Sequence, residues 1–363
     1  MTQLLDALVS DRIATLRRLA ASHDVDGLLI AHPPALRWAV GFSGSNGLLL
    51  VTETTAHFVT DGRYTTQAAA EVAGAEVHVA DGPLAAWAAE RGLIGNAGRM
   101  GLQAEHVTLA DHTSFREAFS EVDFCPVRNL LSEAVAAKTE VEIEAVRQAQ
   151  ALTCEVFAAI VPLLAPGISE QEIAAEIVYQ HLKRGASAMS FEPIVAAGPR
   201  GALPHARPSS RTLAPGDLVV IDMGGVLDGY CSDLTRTVAI GDPGEVAVAA
   251  YETVRRAQES AIEAARAGMT GRALDAVARG VIEADGLGEY FSHSLGHGVG
   301  IEVHEWPRLS QQVAHSLPAG ATVTVEPGVY LPERFGIRIE DVIVLREGGC
   351  ENLTPLPTDL LTL

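Results

Sequence analysis

Hydrophobic and polar positions change their period repeatedly along the first third of the chain. Over residues 11–21 the apolar side chains recur at helical spacing, whereas 27–31, 47–52 and 56–60 are short apolar runs bounded by polar or turn-forming residues and read as strands. The alternation continues with a helix over 63–73, a strand over 76–79, a helix over 83–91, a strand over 99–103 and a helix over 106–120. Strand and helix in turn predict a small α/β domain over residues 1–130.

Residues 131–363 have a different texture. Thr139 followed by Glu142, and Ser169 followed by Glu172, are capping boxes that predict two helix starts. Ile143, Val146, Ala149, Val156 and Ile160 line one side of the first helix, and Pro166-Gly167 ends it. The second helix has its apolar stripe at Ile173, Ala174, Ile177 and Val178. A repeat then emerges. Gly167-Ile-Ser169 returns as Gly268-Met-Thr270, and the segment from Leu213 to Asp222 returns as that from Leu317 to Glu326. In both copies a turn glycine, Gly216 or Gly320, stands six residues before a carboxylate closing an apolar strand. Such duplication predicts an α+β domain with internal pseudo-two-fold symmetry, in which Asp222 and Glu326 face a shared centre.

That centre has further candidates. Val219-Val-Ile221 reads as a buried strand ending in Asp222, and Gly224-Gly225 and Asp228-Gly229 turn the chain back. The return strand is expected to bear Asp233, Thr235 and Thr237 on one face. His293, His297 and His304 are set among glycines, Glu326-Pro-Gly-Val-Tyr330 follows, and residues 337–341 read as a strand placing Arg338 beside Glu340. Carboxylates at the inner ends of paired strands are costly to bury unless protons or cations accompany them. Oxygen-rich ligands with one imidazole suit Mn²⁺, Co²⁺, Fe²⁺ or Zn²⁺.

Composition narrows the class. The 363 residues are 48% hydrophobic and 20% charged, ordinary for a globular chain, and the formal net charge is −20. A protein tracking the phosphate backbone needs the opposite sign, so nucleic acid is not an expected partner. No apolar run approaches a membrane span, and the N-terminal residues lack the basic start and cleavage pattern of a signal peptide. Cys125, Cys154, Cys231 and Cys350 are scattered, which suits free thiols in a reducing compartment. A cytoplasmic protein is expected, with Cys231 a small buried thiol.

In these contexts Asp222, Asp233, His297, Glu326 and Glu340 resemble the five-ligand pattern of the pita-bread metallopeptidases: methionine aminopeptidase, aminopeptidase P and prolidase. Residues 36–45 and Thr60-Asp-Gly-Arg-Tyr64 are similar to the creatinase-like N-terminal domain of the proline-directed branch. The resemblance implies a creatinase-like domain over 1–130 and a pita-bread catalytic domain over 131–363. It implies two divalent metal ions, manganese first among them with Co²⁺ or Zn²⁺ as alternatives. Asp222 would chelate one ion, His297 and Glu326 the other, and Asp233 and Glu340 would bridge. His205, His304 and Glu326 would be catalytic, and His293, His304, Tyr330 and Arg338 would bind substrate or support the ligands. A homodimer, its N-terminal domains shaping the partner's cleft, is also implied.

Within that branch the sequence favours an Xaa-Pro aminopeptidase, acting on peptides with proline in second position, over an Xaa-Pro dipeptidase. A dipeptidase must neutralise a free carboxylate, and residues 311–325 contain no arginine; Arg308 is the nearest upstream base. Ala202-Leu-Pro-His205-Ala-Arg also resembles small bacterial aminopeptidases P. A non-catalytic interaction protein on the same fold is the remote alternative, disfavoured because all five ligand positions are filled.

Overall fold

In the first part of the chain the short apolar runs become one mixed sheet. The computed structural model describes residues 2–363, with side chains from residue 11, and divides into two units, Met1–Ala134 and Val135–Leu363. The first contains α1 (Thr2–Ser22), β1 (Gly27–Ile30), α2 (Pro33–Val40), β2 (Gly47–Thr52), β3 (Ala56–Asp61), α3 (Thr65–Glu71), β4 (Glu76–Ala80), α4 (Leu84–Glu90), β5 (Arg99–Gln103), α5 (Leu109–Ala118) and β6 (Asp123–Val127). Strand order is β4-β3-β2-β1-β5-β6; β1, β2 and β3 run antiparallel to their neighbours among themselves, and the outer pairs are parallel. Helix α2 and strand β6 are additions to the expected elements. Pro33 and Pro34 hide α2 from a pattern reading, yet proline suits the first turn, where the N–H has no helical partner.

After the short α6 (Ser132–Ala136), the second unit is built from two similar halves. The first half holds α7 (Glu140–Ile160), α8 (Glu170–Lys183), β7 (Ala188–Met189), β8 (Ile194–Ala197), β9 (Leu218–Met223), β10 (Gly225–Leu227), β11 (Tyr230–Cys231) and β12 (Leu234–Ala239). The second holds α9 (Glu245–Ala264), α10 (Gly271–Ala284), β13 (Gly296–Gly298), β14 (Glu305–Leu309), β15 (Thr322–Val325), β16 (Gly328–Leu331), β17 (Phe335–Arg338), β18 (Asp341–Arg346) and β19 (Gly349–Asn352), and β20 (Leu361–Thr362) returns to β12. Both capping boxes form at the expected helix starts.

The repeat is visible at the level of single hydrogen bonds. Gly167 N–H donates to Leu213 O and Leu213 N–H to Ile168 O; Gly268 N–H donates to Leu317 O and Leu317 N–H to Met269 O. Ser169 bridges to Thr212 as Thr270 does to Ser316. Gly216 and Gly320 both sit at positive φ, +89° and +80°, where a side chain would be strained. Each helix pair packs an apolar cluster onto its own antiparallel strand pair, α7 and α8 over β9–β12, α9 and α10 over β15–β18. The two strand pairs thereby deliver their ends to one place.

Three local expectations change. Strand β9 continues past Asp222 to Met223, and Asp233 stands one residue before β12; the connection between them doubles back through β10 and β11, as expected. The segment 337–341 is not one strand. Ile339 and Glu340 separate β17 from β18, because Glu340 N–H turns to Thr235 O and Ile339 N–H to Pro327 O instead of continuing a ladder.

Candidate metal centre and active site

Neighbouring strand ends bring the carboxylates together. In the β9–β12 pair Asp222 lies opposite Thr235, and in β15–β18 Val325 lies opposite Asp341, which flanks Glu340 just as Val325 flanks Glu326. Asp222, Asp233, Glu326 and Glu340 line a cavity of about 520 Å³ with His297, His205, His293, His304, Tyr330 and Arg338. All ten candidate residues from the sequence therefore meet on one wall system. Cys231 does not join them; it is buried among Ile143, Val146 and Val342, and burial pushes its thiol up to about 12.

The ligand cluster is tight. Oxygens of Asp233 and Glu340 and a ring nitrogen of His297 lie within 4.8 Å of one another. His297 Nε2 is 3.2 Å from Glu326 Oε1 and 3.7 Å from Asp233 Oδ2, while its Nδ1 donates to Gly298 O at 3.0 Å. That last bond leaves Nε2 as the nitrogen aimed at the acids. Thr324 Oγ1 takes up the His297 N–H at 3.0 Å and donates to Glu326 Oε1 at 3.0 Å, fixing both residues from one hydroxyl.

Burial and mutual repulsion dominate the electrostatics. Asp233 and Glu340 are held well above the ordinary carboxylate range, first by burial and then by the neighbouring acids. Burial also raises Asp222, against the pull of Arg338. Glu326 is the exception: burial would raise it, but the His297 hydrogen bond and charge bring it to about 2. Burial would lower His297, and Glu326 instead raises it. His304 falls to about 4 through burial and the proximity of His297, whose ring it meets edge-on at 4.3 Å.

One observation ties this set to cations independently of any motif. Asp222 Oδ1 is buried with no hydrogen-bond partner among the described residues, while Oδ2 accepts from Arg338 Nη2 at 2.5 Å. An ionised oxygen left bare in a protein interior is costly, and a divalent ion beside it removes that cost. Hard oxygens with a single imidazole fit such ions.

Arg338 organises the supporting shell. It binds Asp222, donates from Nε to Thr235 Oγ1 at 3.1 Å, and donates from Nη1 to Tyr330 Oη at 2.8 Å and Pro204 O at 3.2 Å. Thr235 in turn donates to Glu340 Oε2 at 2.7 Å. The carboxylate gripped by Arg338 is Asp222; Glu340 receives its support one step removed. Tyr330 Oη donates a hydrogen bond to His293 Nε2 at 2.9 Å, and His293 Nδ1 donates to Ser294 O at 2.8 Å. Both His293 nitrogens are thus engaged, and burial keeps the ring neutral by lowering its pKa. It presents a shaped wall, with no proton to exchange.

Three contributors had no motif to announce them, and a fourth stands in the sequence only as the base nearest upstream of residues 311–325. Gln150, inside the buried side of α7, clamps both backbone groups of Asp233: Nε2 donates to Asp233 O at 2.8 Å and Oε1 accepts from Asp233 N–H at 3.1 Å. Arg236 donates to Glu340 O at 2.6 Å and to Asp341 Oδ1 at 2.7 Å. Glu170, fully buried in the first turn of α8, accepts from Ala197 N–H at 2.9 Å, Arg200 Nε at 2.9 Å, Ser209 N–H at 2.9 Å and Ser209 Oγ at 2.7 Å. It thereby ties down both ends of the loop that carries His205. Gly201 of that loop packs against Gly336 so closely that a Cβ on Gly336 would stand 1.8 Å from Gly201 O. The fourth is Arg308, which lies directly across the strand pair from His297 and lines the cavity. Paired residues on adjacent strands share a face, so this guanidinium stems from the ligand side of the sheet. A register pairing of this kind cannot be read from spacing.

Comparison with known proteins agrees with the fold. Residues 144–347 match the description "Metallopeptidase family M24", and residues 12–134 match "Creatinase/Prolidase N-terminal domain". An Xaa-Pro dipeptidase from Bacillus anthracis superposes with a TM-score of 0.95 at 35% identity, over 98% of this chain and 100% of that one. An X-Pro aminopeptidase from Thermotoga maritima MSB8 superposes at 0.89 with 38% identity, over 95% and 100%. An Xaa-Pro dipeptidase of Pyrococcus furiosus is 41% identical over 248 residues, 68% of this chain and 71% of that protein. No described helix is long and apolar enough to cross a membrane.

Proposed function

The chain belongs to metallopeptidase family M24, with a creatinase/prolidase-type N-terminal domain and a pita-bread C-terminal domain, and from that premise we propose that it is an Xaa-Pro dipeptidase. Arg308 is the observation that carries this choice. A dipeptide ending in proline brings a free carboxylate beside the scissile bond, and a fixed cation is needed to hold it. The absence of arginine from residues 311–325 by itself favours an aminopeptidase. Arg308, opposite His297 in the β13–β14 pair, supplies a cation from a different place.

In this reading Asp222, Asp233, His297, Glu326 and Glu340 would hold the divalent ions. Bound ions supply a water acidified toward neutral pH and a Lewis acid for the scissile carbonyl. Glu326, ionised beside His297, can take a proton and pass it to the leaving proline nitrogen. That nitrogen has no N–H before cleavage, so the site must recognise the ring by shape. His293, with both nitrogens engaged, and Tyr330 supply such a surface. His205 and His304 line the same cavity, and their imidazole N–H groups suit the developing oxyanion. Manganese as the metal and a homodimer as the assembly complete the proposal.

The test uses metal-stripped protein reloaded separately with Mn²⁺, Co²⁺ and Zn²⁺. Xaa-Pro dipeptides should have the higher kcat/KM than Xaa-Pro-Yaa tripeptides. Arg308→Ala should lose about ten- to a hundredfold on dipeptides, the equivalent of a charge-assisted hydrogen bond of about 1.5–3 kcal/mol, with a smaller loss on tripeptides. The aminopeptidase is the second reading, supported by the whole-chain likeness to the Thermotoga enzyme. Faster tripeptide cleavage, with Arg308→Ala affecting both substrates equally, would establish it and remove the dipeptidase. Light scattering tests the dimer.

A further inference from the structure

The N-terminal unit carries a second cluster of metal-ligating side chains on its own sheet. We propose that His57, Glu76 and His78 form a binding site for a late first-row divalent cation such as Zn²⁺, separate from the peptidase centre. His57 belongs to β3 and lies opposite Glu76 of the parallel edge strand β4; His78 is two residues further along β4. Cross-strand partners share a face, and so do residues two apart on one strand, so all three side chains project to the same side.

Their ligand atoms converge. His57 Nδ1 is 3.1 Å from His78 Nε2 and 3.4 Å from Glu76 Oε2, and His78 Nε2 is 3.9 Å from Glu76 Oε1. With bonds of about 2.0–2.2 Å to nitrogen and oxygen, a tetrahedral ion separates its ligands by about 3.3–3.5 Å. The observed separations bracket that range, so small rotations of the Glu76 side chain would close the site.

The surroundings favour the cation over a proton. The two imidazoles are largely covered, with side-chain exposures of 14% and 17%, and the Trp87 ring packs against His78 at 5.7 Å. Burial, then the neighbouring His78, lowers the pKa of His57 and disfavours its protonated form. Glu76 is 68% exposed and contributes the anionic ligand from the rim, with the fourth position open to solvent. Two imidazoles and one carboxylate match zinc, nickel or copper better than calcium or magnesium, which prefer all-oxygen shells.

The test compares the full-length wild type with His78→Asn and Glu76→Gln at zinc concentrations that saturate the wild type. His78→Asn should bind one equivalent fewer per chain by equilibrium dialysis, while Glu76→Gln, a change at an exposed position, should weaken that equivalent about tenfold. The difference between proteins is the measured quantity, so it does not depend on how many ions the second unit takes up. Cu²⁺ added to the zinc-loaded wild type supplies an independent readout. Its electron paramagnetic resonance spectrum should show two coupled nitrogens that collapse to one in His78→Asn. Equal zinc stoichiometry in all three proteins, or a copper spectrum unchanged by His78→Asn, would reduce the trio to a histidine–histidine hydrogen bond beside an acid and overturn the site.

Discussion

Replacing Glu170 by glutamine keeps the shape of the side chain and removes the acceptor that anchors the His205 loop. The carboxylate accepts from the main chain at Ala197 and Ser209, from the Ser209 hydroxyl and from Arg200, which itself reaches Arg207 O. If the amide oxygen of the variant takes the Oε2 position, it still serves the two Ser209 donors and the shorter Arg200 contact, its NH₂ group faces Ala197 N–H, and one buried donor loses its partner. Each unsatisfied buried donor costs about 1–3 kcal/mol. Arg200 keeps its shorter contact and is 31% exposed on its side chain, so the total should be that of one buried donor, about 1–3 kcal/mol. For a unit of this size that is a Tm decrease of about 2–12 °C. Loop placement adds a catalytic loss. A displacement of about 1 Å in a reacting group costs on the order of a hundredfold in rate, and His205, Ala206 and Arg207 line the cavity directly. The expected phenotype of Glu170→Gln is therefore a fall in kcat of one to two orders of magnitude on an Xaa-Pro substrate, measured well below its Tm. Ile282→Ala is the control: a core truncation on α10 away from the loop, costing about 2–5 kcal/mol. Glu170→Asp, which keeps the charge, should recover part of the lost kcat. A kcat for Glu170→Gln no lower than that of Ile282→Ala would show that Glu170 merely holds the fold and refute the loop argument.

Three further outcomes are expected. Arg338→Lys replaces a planar fork that serves Asp222, Thr235, Tyr330 and Pro204 with a point charge, so kcat should fall about a hundredfold or more without loss of folding, checked by steady-state kinetics beside a thermal melt. Asp233 and Glu340 hold protons well above the usual range in the metal-free protein, so metal binding should release protons and weaken as pH falls; calorimetry in buffers of different ionisation enthalpy counts them, and zero release would contradict the assignment. His181 is fully buried between Thr153 and Ile177 O, and burial lowers its pKa below 6.5. The unfolded chain then binds a proton that the native state does not, so stability is full above about pH 6.5 and declines as pH falls from there toward the folded pKa. In His181→Gln, Tm should depend less on pH between 6.5 and 5, and an unchanged slope would exclude His181 as the source.

Much of this molecule is legible in one dimension because its determinants are local or repeated. Capping boxes at Thr139 and Ser169 start helices from side chains three residues apart, and apolar runs such as 47–52 form strands at the same bounds. The duplicated glycine-to-carboxylate segments announce a two-fold centre, since equivalent sequences build equivalent strand ends. Asp222, Asp233, His297, Glu326 and Glu340, named from their contexts, line one cavity. Other determinants have no local signature. Gln150 clamps Asp233 across 83 residues of chain, and it looks like any polar residue on a helix. Arg338 grips Asp222 through an approach of strand ends that no strand encodes alone. The break at Ile339-Glu340 exists because Glu340 N–H finds Thr235 O on another strand, a competition between partners invisible to a pattern of alternating residues. Arg308 reaches the cavity through its register with His297, and register is a property of two strands. Local propensity and repetition choose the elements; long-range hydrogen bonds and strand register decide which charge faces which.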